Sequence, residues 1–264
     1  MSSYYQLLSR QHTEYGQVSQ YRCTELVQGA WNPHEQHMAA ASGVMCAELE
    51  QFQPRPEMRI GRISFDILGL IPATDFEINT RVIRAGRTIE LVEATMSAQG
   101  KDCIIARVWR MMTQDSTAVM GIEDAVQQRP THLPVQNILG NWDGKFIQTV
   151  KSQVEPSTHR AGKGIVWLNT DVDMVEGQAT SDFVHLMGML DTANGIVPRL
   201  PDLSWAFPNL DLQIHLLRMP RGRWLGLETQ QQYGDDGIGL TSSVLHDDFG
   251  VFGRSEQILT LRKM

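Results

Sequence analysis

The feature that most constrains this chain is that it carries one arrangement twice: a helix followed by a train of alternating strands. In the first half, "WNPHEQHMAAASGVMCAELEQF" (31–52) reads as a helix. Asn32 is placed to cap it, Pro33 sits at the first helical position and Glu35 stands in capping-box position. Met38, Ala41, Met45, Leu49 and Phe52 then fall on one side. Strand-like segments follow at 61–71, 75–86, 87–100 and 102–112, with Gly86-Arg87 and Gly100-Lys101 where hairpin turns are needed. The second half repeats the order. A leading strand at 162–174 precedes a helix at 180–195, capped by Thr180 or Ser181 and stopped by Gly195. Strands follow at 209–219, 223–234, 237–250 and 251–263. An offset of 147 residues aligns Ser64 with Asp211, Ala106 with Gly253 and Arg110 with Gln257, which argues for duplication.

This pattern has a physical logic. A sheet with one apolar face (Ile63, Phe65, Ile67; Leu210, Leu212, Ile214) is covered if it wraps around a single buried helix. The alternate positions Arg62, Ser64 and Asp66, with Asn209, Asp211, Gln213 and His215, then face away from that helix. Such a unit is a hotdog fold. The expected class is α+β, a tandem hotdog of two long helices, each wrapped by a strongly twisted antiparallel sheet. The two sheets are expected to pair edge to edge into one of roughly twelve strands. The chain divides into a first hotdog at 1–112, a connector at 113–161 and a second hotdog at 162–264. The connector is rich in proline and polar residues, with a short helix expected between Ile138 and Val150. Connectors this long are usually ordered against the body or functional.

Composition narrows the function. With 264 residues, 42% hydrophobic and 20% charged, the chain can bury a large core. No apolar run approaches the ~18 residues of a membrane span, and the first residues lack the apolar core of a signal peptide. The three cysteines, Cys23, Cys46 and Cys103, show no metal or disulfide spacing, so a cytoplasmic protein is expected. A net charge of −7 without a basic cluster argues against nucleic acid. No G-x-S-x-G elbow, phosphate loop or dinucleotide fingerprint is present, which argues against a serine hydrolase and nucleotide cofactors. His34 and His37, three apart, have no third ligand cluster, so no metal is expected. "GAWNPH" (29–34) is close to the Asp-x-Asn-Pro-x-His signature of hotdog hydratases, but Ala30 replaces the acid and His34 directly follows Pro33.

"GAWNPHEQHMAAAS" (29–42) resembles the first-helix signature of double-hotdog, thioesterase II-like proteins. "FPNLDLQIHLLR" (207–218) and "GRSEQILTLR" (253–262) resemble strand motifs of the second hotdog in that family. The resemblance implies an acyl-CoA thioesterase, with an acyl-CoA substrate and no cofactor. It also implies a water held by three second-half residues: an Asp on the helix, a hydroxyl at the next strand and a Gln on the last strand. The Asp falls on Asp191 and the Gln on Gln257, with Arg262 after it. The hydroxyl position falls on Asn209, a departure that makes a catalytically weak acyl-CoA-binding protein the alternative reading.

Thioester hydrolysis needs an oriented, partly deprotonated water and donors aimed at the developing oxyanion. Asp191 is the expected base, with Gln257 and Asn209 supplying neutral hydrogen bonds. Helix N-termini offer backbone donors, so His37, Met38 and Ala39 are the expected substrate-binding positions. The first repeat has Arg62 and Arg110 where the second has Asn209 and Gln257, so it cannot build the same water site. Further association into a homodimer or larger assembly is expected.

Overall fold

The computed structural model describes residues 2–200 and 204–264. The first half opens with a hairpin, β1 (Ser3–Thr13) and β2 (Gly16–Cys23). The helix α1 (Met38–Gln51) comes next, then β3 (Met58–Ile67), β4 (Phe76–Arg84), β5 (Ile89–Ala98) and β6 (Lys101–Met112). In the connector a short helix, α2 (Lys145–Thr149), runs straight into β7 (Val150–Gln153). The second half has β8 (Lys163–Thr170), β9 (Asp173–Val175), α3 (Asp182–Met187), α4 (Ala193–Ile196) and β10 (Trp205–Ala206). It finishes with β11 (Asp211–Leu216), β12 (Leu225–Tyr233), β13 (Ile238–Asp247), β14 (Gly250–Thr260) and β15 (Arg262–Lys263).

Thirteen strands form one sheet in the order β7-β8-β12-β13-β14-β11-β3-β6-β5-β4-β2-β1-β9. Outward from the central β11–β3 seam the two halves read alike: β3, β6, β5, β4, β2, β1 on one side and β11, β14, β13, β12, β8, β7 on the other. The seam is antiparallel, with Leu212 opposite Phe65 and Ile214 opposite Ile63. Those four side chains are fully buried, as the strand alternation requires. Leu210, however, is 49% exposed because it precedes β11 and follows its own turn. The β1–β2 hairpin was not legible as strand in the sequence, because the buried alternating face of β2 is largely polar: Gln17, Ser19 and Tyr21.

Helix α1 is buried on every side from Met38 to Leu49, as befits a helix enclosed by a sheet rather than laid on one. Its small residues let the second helical segment approach. A Cβ on Gly43 would lie 2.9 Å from the Cα of Gly188.

Three sequence expectations are corrected. The first helix begins at Met38, not beside Asn32, and its N-cap is His37, whose Nδ1 accepts the Ala39 N–H at 3.1 Å. Residues 28–37 are instead pinned by the chain around them: Gln36 N–H donates to Ile71 O and His37 N–H to Val27 O. Asn32 caps only a local turn, accepting from His34 N–H. The second helix is not one long helix. Ser181 caps it as expected, but α3 stops at Gly188, a tight 3₁₀ turn spans Leu190–Thr192, and α4 completes the run. Glycine holds a helical conformation at an entropic cost, and Met189, at φ −118° and ψ −10°, stays right-handed but departs from regular helix values. Gly195 is not a left-handed stop: it lies inside α4.

Candidate active site

Asp191 sits in that 3₁₀ turn, and a 3₁₀ stretch inside a helical run often marks a functional position. Its side chain meets two amides, one just before β11 and one on β14. Asn209, just after Phe207-Pro208 and just before β11, donates from Nδ2 to Asp191 Oδ1 at 2.8 Å. Gln257, in the middle of β14, donates from Nε2 to the same oxygen at 2.8 Å. The three second-half residues named from the sequence therefore converge on one carboxylate oxygen. Among the described residues, Oδ2 receives no hydrogen bond.

Asp191 is 4% exposed. Burial pushes its acid up to about 7, against the two amide donors, which favour the charged form. Asn209 is itself held: its Nδ2 also donates to Asp211 O at 2.9 Å, and Asn194 donates to its Oδ1 at 3.3 Å. Asn194 was missed in the sequence. Its signal was its spacing, since a residue three after Asp191 shares that helical face.

These groups border a pocket of about 430 Å³ between the halves. Asp191, Asn194 and Asn209 form its second-half wall, and Glu35, His37, Met38 and Ile71 are on the first-half wall. Gln257 is not on the wall. It stands behind Asp191 in the interior, and its Oε1 is buried without a partner. Ala39 is not on the wall either; it is fully buried and its N–H is taken by His37. His37 stacks on Phe146, with ring centroids 4.5 Å apart, and burial lowers its imidazole to about 4. Because Nδ1 accepts the cap hydrogen bond, the neutral ring carries its proton on Nε2. Glu35 is half-buried, and burial raises its acid. Arg262, on β15, is exposed at the rim. Among the described residues no cluster of three His, Cys, Asp or Glu side chains is arranged to hold a metal. No helix among them is long and apolar enough to cross a membrane.

The whole chain overlays on a hot dog fold protein of unknown function from Alicyclobacillus acidocaldarius, with a TM-score of 0.75 at 11% identity over 97% of this chain and 96% of that one. It also overlays on an acyl-CoA thioesterase II from Mycobacterium marinum, with a TM-score of 0.68 at 16% identity and the same coverage. These likenesses establish the fold. No curated protein matches the chain. The family model described as the acyl-CoA thioesterase N-terminal domain matches residues 27–111, and the one described as the acyl-CoA thioesterase C-terminal domain matches residues 123–261. With those two matches spanning both helix-and-strand repeats, the chain belongs to the acyl-CoA thioesterase family and is a thioester hydrolase.

Proposed function

We propose that the chain hydrolyses acyl-CoA thioesters at the pocket beside Asp191. The observation that carries this reading is the convergence of two amide donors on one oxygen of a buried carboxylate at the pocket wall. Asn209 and Gln257 fix the carboxylate through Oδ1, leaving Oδ2 to take a proton from water. The resulting hydroxide adds to the thioester carbonyl. The tetrahedral intermediate then expels the CoA thiolate, which takes the proton from the Asp191 carboxyl and so restores the carboxylate, and the carboxylic acid leaves. For the developing oxyanion, the first-half wall offers the backbone N–H of Met38 at the start of α1 and the Nε2–H of His37 as donors. Arg262 at the rim offers positive charge to the phosphates of CoA.

In this reading Asn209 does not stand in for a hydroxyl on the water, because its Nδ2 is occupied by Asp191 and Asp211. It positions the base instead. We assign the repeats to 1–112 and 162–264 with 113–161 between them, and expect the protein to act as a homo-oligomer in the cytoplasm. The test is thiol release from an acyl-CoA series by wild type and Asp191→Asn. The variant should lose about 10²–10⁴-fold in kcat. An unchanged rate would remove Asp191 from the mechanism. Acyl-CoA binding without thiol release by the wild type would favour the non-catalytic alternative.

A further inference from the structure

The connector reaches the site. A small recess of about 30 Å³ opens off the main pocket, sharing Ala30, Trp31, His37 and Asn194 with it. The rest of its wall is mostly apolar: the connector residues Leu139, Trp142 and Ile147, with Phe207, and Thr192 and Gly195 from the second helical run. Three of these rings meet edge-on. Trp31 and Trp142 have centroids 5.3 Å apart, Trp31 and Phe207 5.8 Å, and Trp142 and Phe207 5.7 Å, all near perpendicular. Edge-to-face contacts at this range are mutually attractive and fix ring positions. Trp142 is held further by its indole N–H, which donates to Gly195 O at 3.2 Å, and by its backbone N–H on Leu139 O. Gly195 lies in α4, four residues after Asp191, so the connector is tied directly to the helical run that carries the base.

We infer that Trp142 is the residue that limits acyl length, and that the substrate class is short-chain acyl-CoA. The inference rests on the proposed hydrolysis beside Asp191. With the thioester carbonyl at Asp191 and CoA directed toward Arg262, the acyl chain runs the other way, past Asn194 and toward the aromatic trio. A cavity needs about 10–15 Å³ on this measure to hold a single water, so about 30 Å³ takes one or two methylene-sized groups before the chain meets the indole. A longer chain enters only if Trp142 gives way.

The experiment measures kcat/KM for acetyl-, butyryl-, octanoyl- and palmitoyl-CoA with wild type, Trp142→Ala, Trp142→Phe and Leu139→Ala. In parallel, calorimetry follows binding of butyryl- and octanoyl-CoA to Asp191→Asn with and without Trp142→Ala. Wild type should favour acetyl- or butyryl-CoA. Trp142→Ala should raise octanoyl- relative to butyryl-CoA kcat/KM by about 10-fold or more, the scale of one methylene fitted or refused in an apolar pocket. Leu139→Ala should move the profile the same way, and Trp142→Phe should move it less. A wild-type preference for palmitoyl-CoA, or a profile unmoved in both Trp142→Ala and Leu139→Ala, overturns the inference. Absence of thiol release from every acyl-CoA overturns the hydrolytic reading alone. The binding arm then decides the length limit, with tighter butyryl-CoA binding that reverses on Trp142→Ala supporting it and equal affinities refuting it.

Discussion

A carboxylate that takes a proton from water serves best when its own acid is close in strength to the ambient pH. In the proposed hydrolysis Asp191, pushed up to about 7 by burial, meets that condition where an ordinary aspartate would be a far weaker base. The consequence is a kcat/KM that rises with pH through an inflection near 7, because only the ionised form accepts the proton. Gln257 bears on the same titration from behind. Its Nε2–H favours the charged form, so Gln257→Leu should move the inflection to higher pH, read from the same profile. Stability has the opposite sense. In the unfolded chain Asp191 titrates near 3.9, so the folded state binds more protons between about 4 and about 7 and loses stability as pH rises through that window. Asn in its place keeps an acceptor for both amides and carries no charge. The melting temperature of Asp191→Asn should therefore match wild type near pH 4 and exceed it by a growing margin up to pH 8.

Among the elements, β6 and β14 occupy matching places in the two halves, yet their central side chains do different work. Gln257 on β14 donates to the Asp191 carboxylate. Arg110 on β6, 5% exposed, closes the C-terminus of α1 by donating to Leu49 O and Phe52 O at 2.6 Å each, and pairs with Glu90 at 3.2 Å. Removing Arg110 strips those carbonyls of their donor and leaves the buried Glu90 only Arg55, 3.7 Å away. Arg110→Met should cost about 3 kcal/mol in denaturant unfolding. The substitution pattern that spares one site and closes the other was readable in the sequence, since both residues lie in strands whose alternation is plain. The strand train and the acid after Leu190 were readable for the same reason. The start of α1 was not, because Asn32, Pro33 and Glu35 satisfy the local rules for a helix start while the backbone of 28–37 is claimed by Val27 and Ile71. The break after Met187 was hidden likewise. An apolar stripe at helical spacing continues through Leu190, and only the close packing of Gly188 against α1 and Met174 shows why the turn tightens there. Asn194 and Trp142 escaped notice because their roles depend on long-range partners, Asn209 and the Trp31–Phe207 pair.

For the molecule as a whole, the two halves share more than the β11–β3 seam. Ser42 on α1 donates to Ala39 O and to Met187 O, and the helical segments touch where Gly43 meets Gly188 and Met174. A valine at Gly43 would overlap both. Gly43→Val should lower stability by about 1–3 kcal/mol while leaving one unfolding transition in calorimetry, because the contact belongs to both halves at once. The ends of the long sheet decide how such molecules can gather. On one side β9, a piece of the second half, lies parallel along β1, with Asp173 N–H on Ser2 O and Glu176 N–H on Tyr5 O. On the other, the connector strand β7 exchanges hydrogen bonds with Gln136, whose N–H and carbonyl both meet Ser152. These covers are short: β9 meets β1 only from Ser3 to Tyr5, and beyond it the outer edge of β1 from Gln6 to Thr13 has no strand partner among the described residues. That stretch is the open ladder on which one copy of this protein could extend the sheet of another.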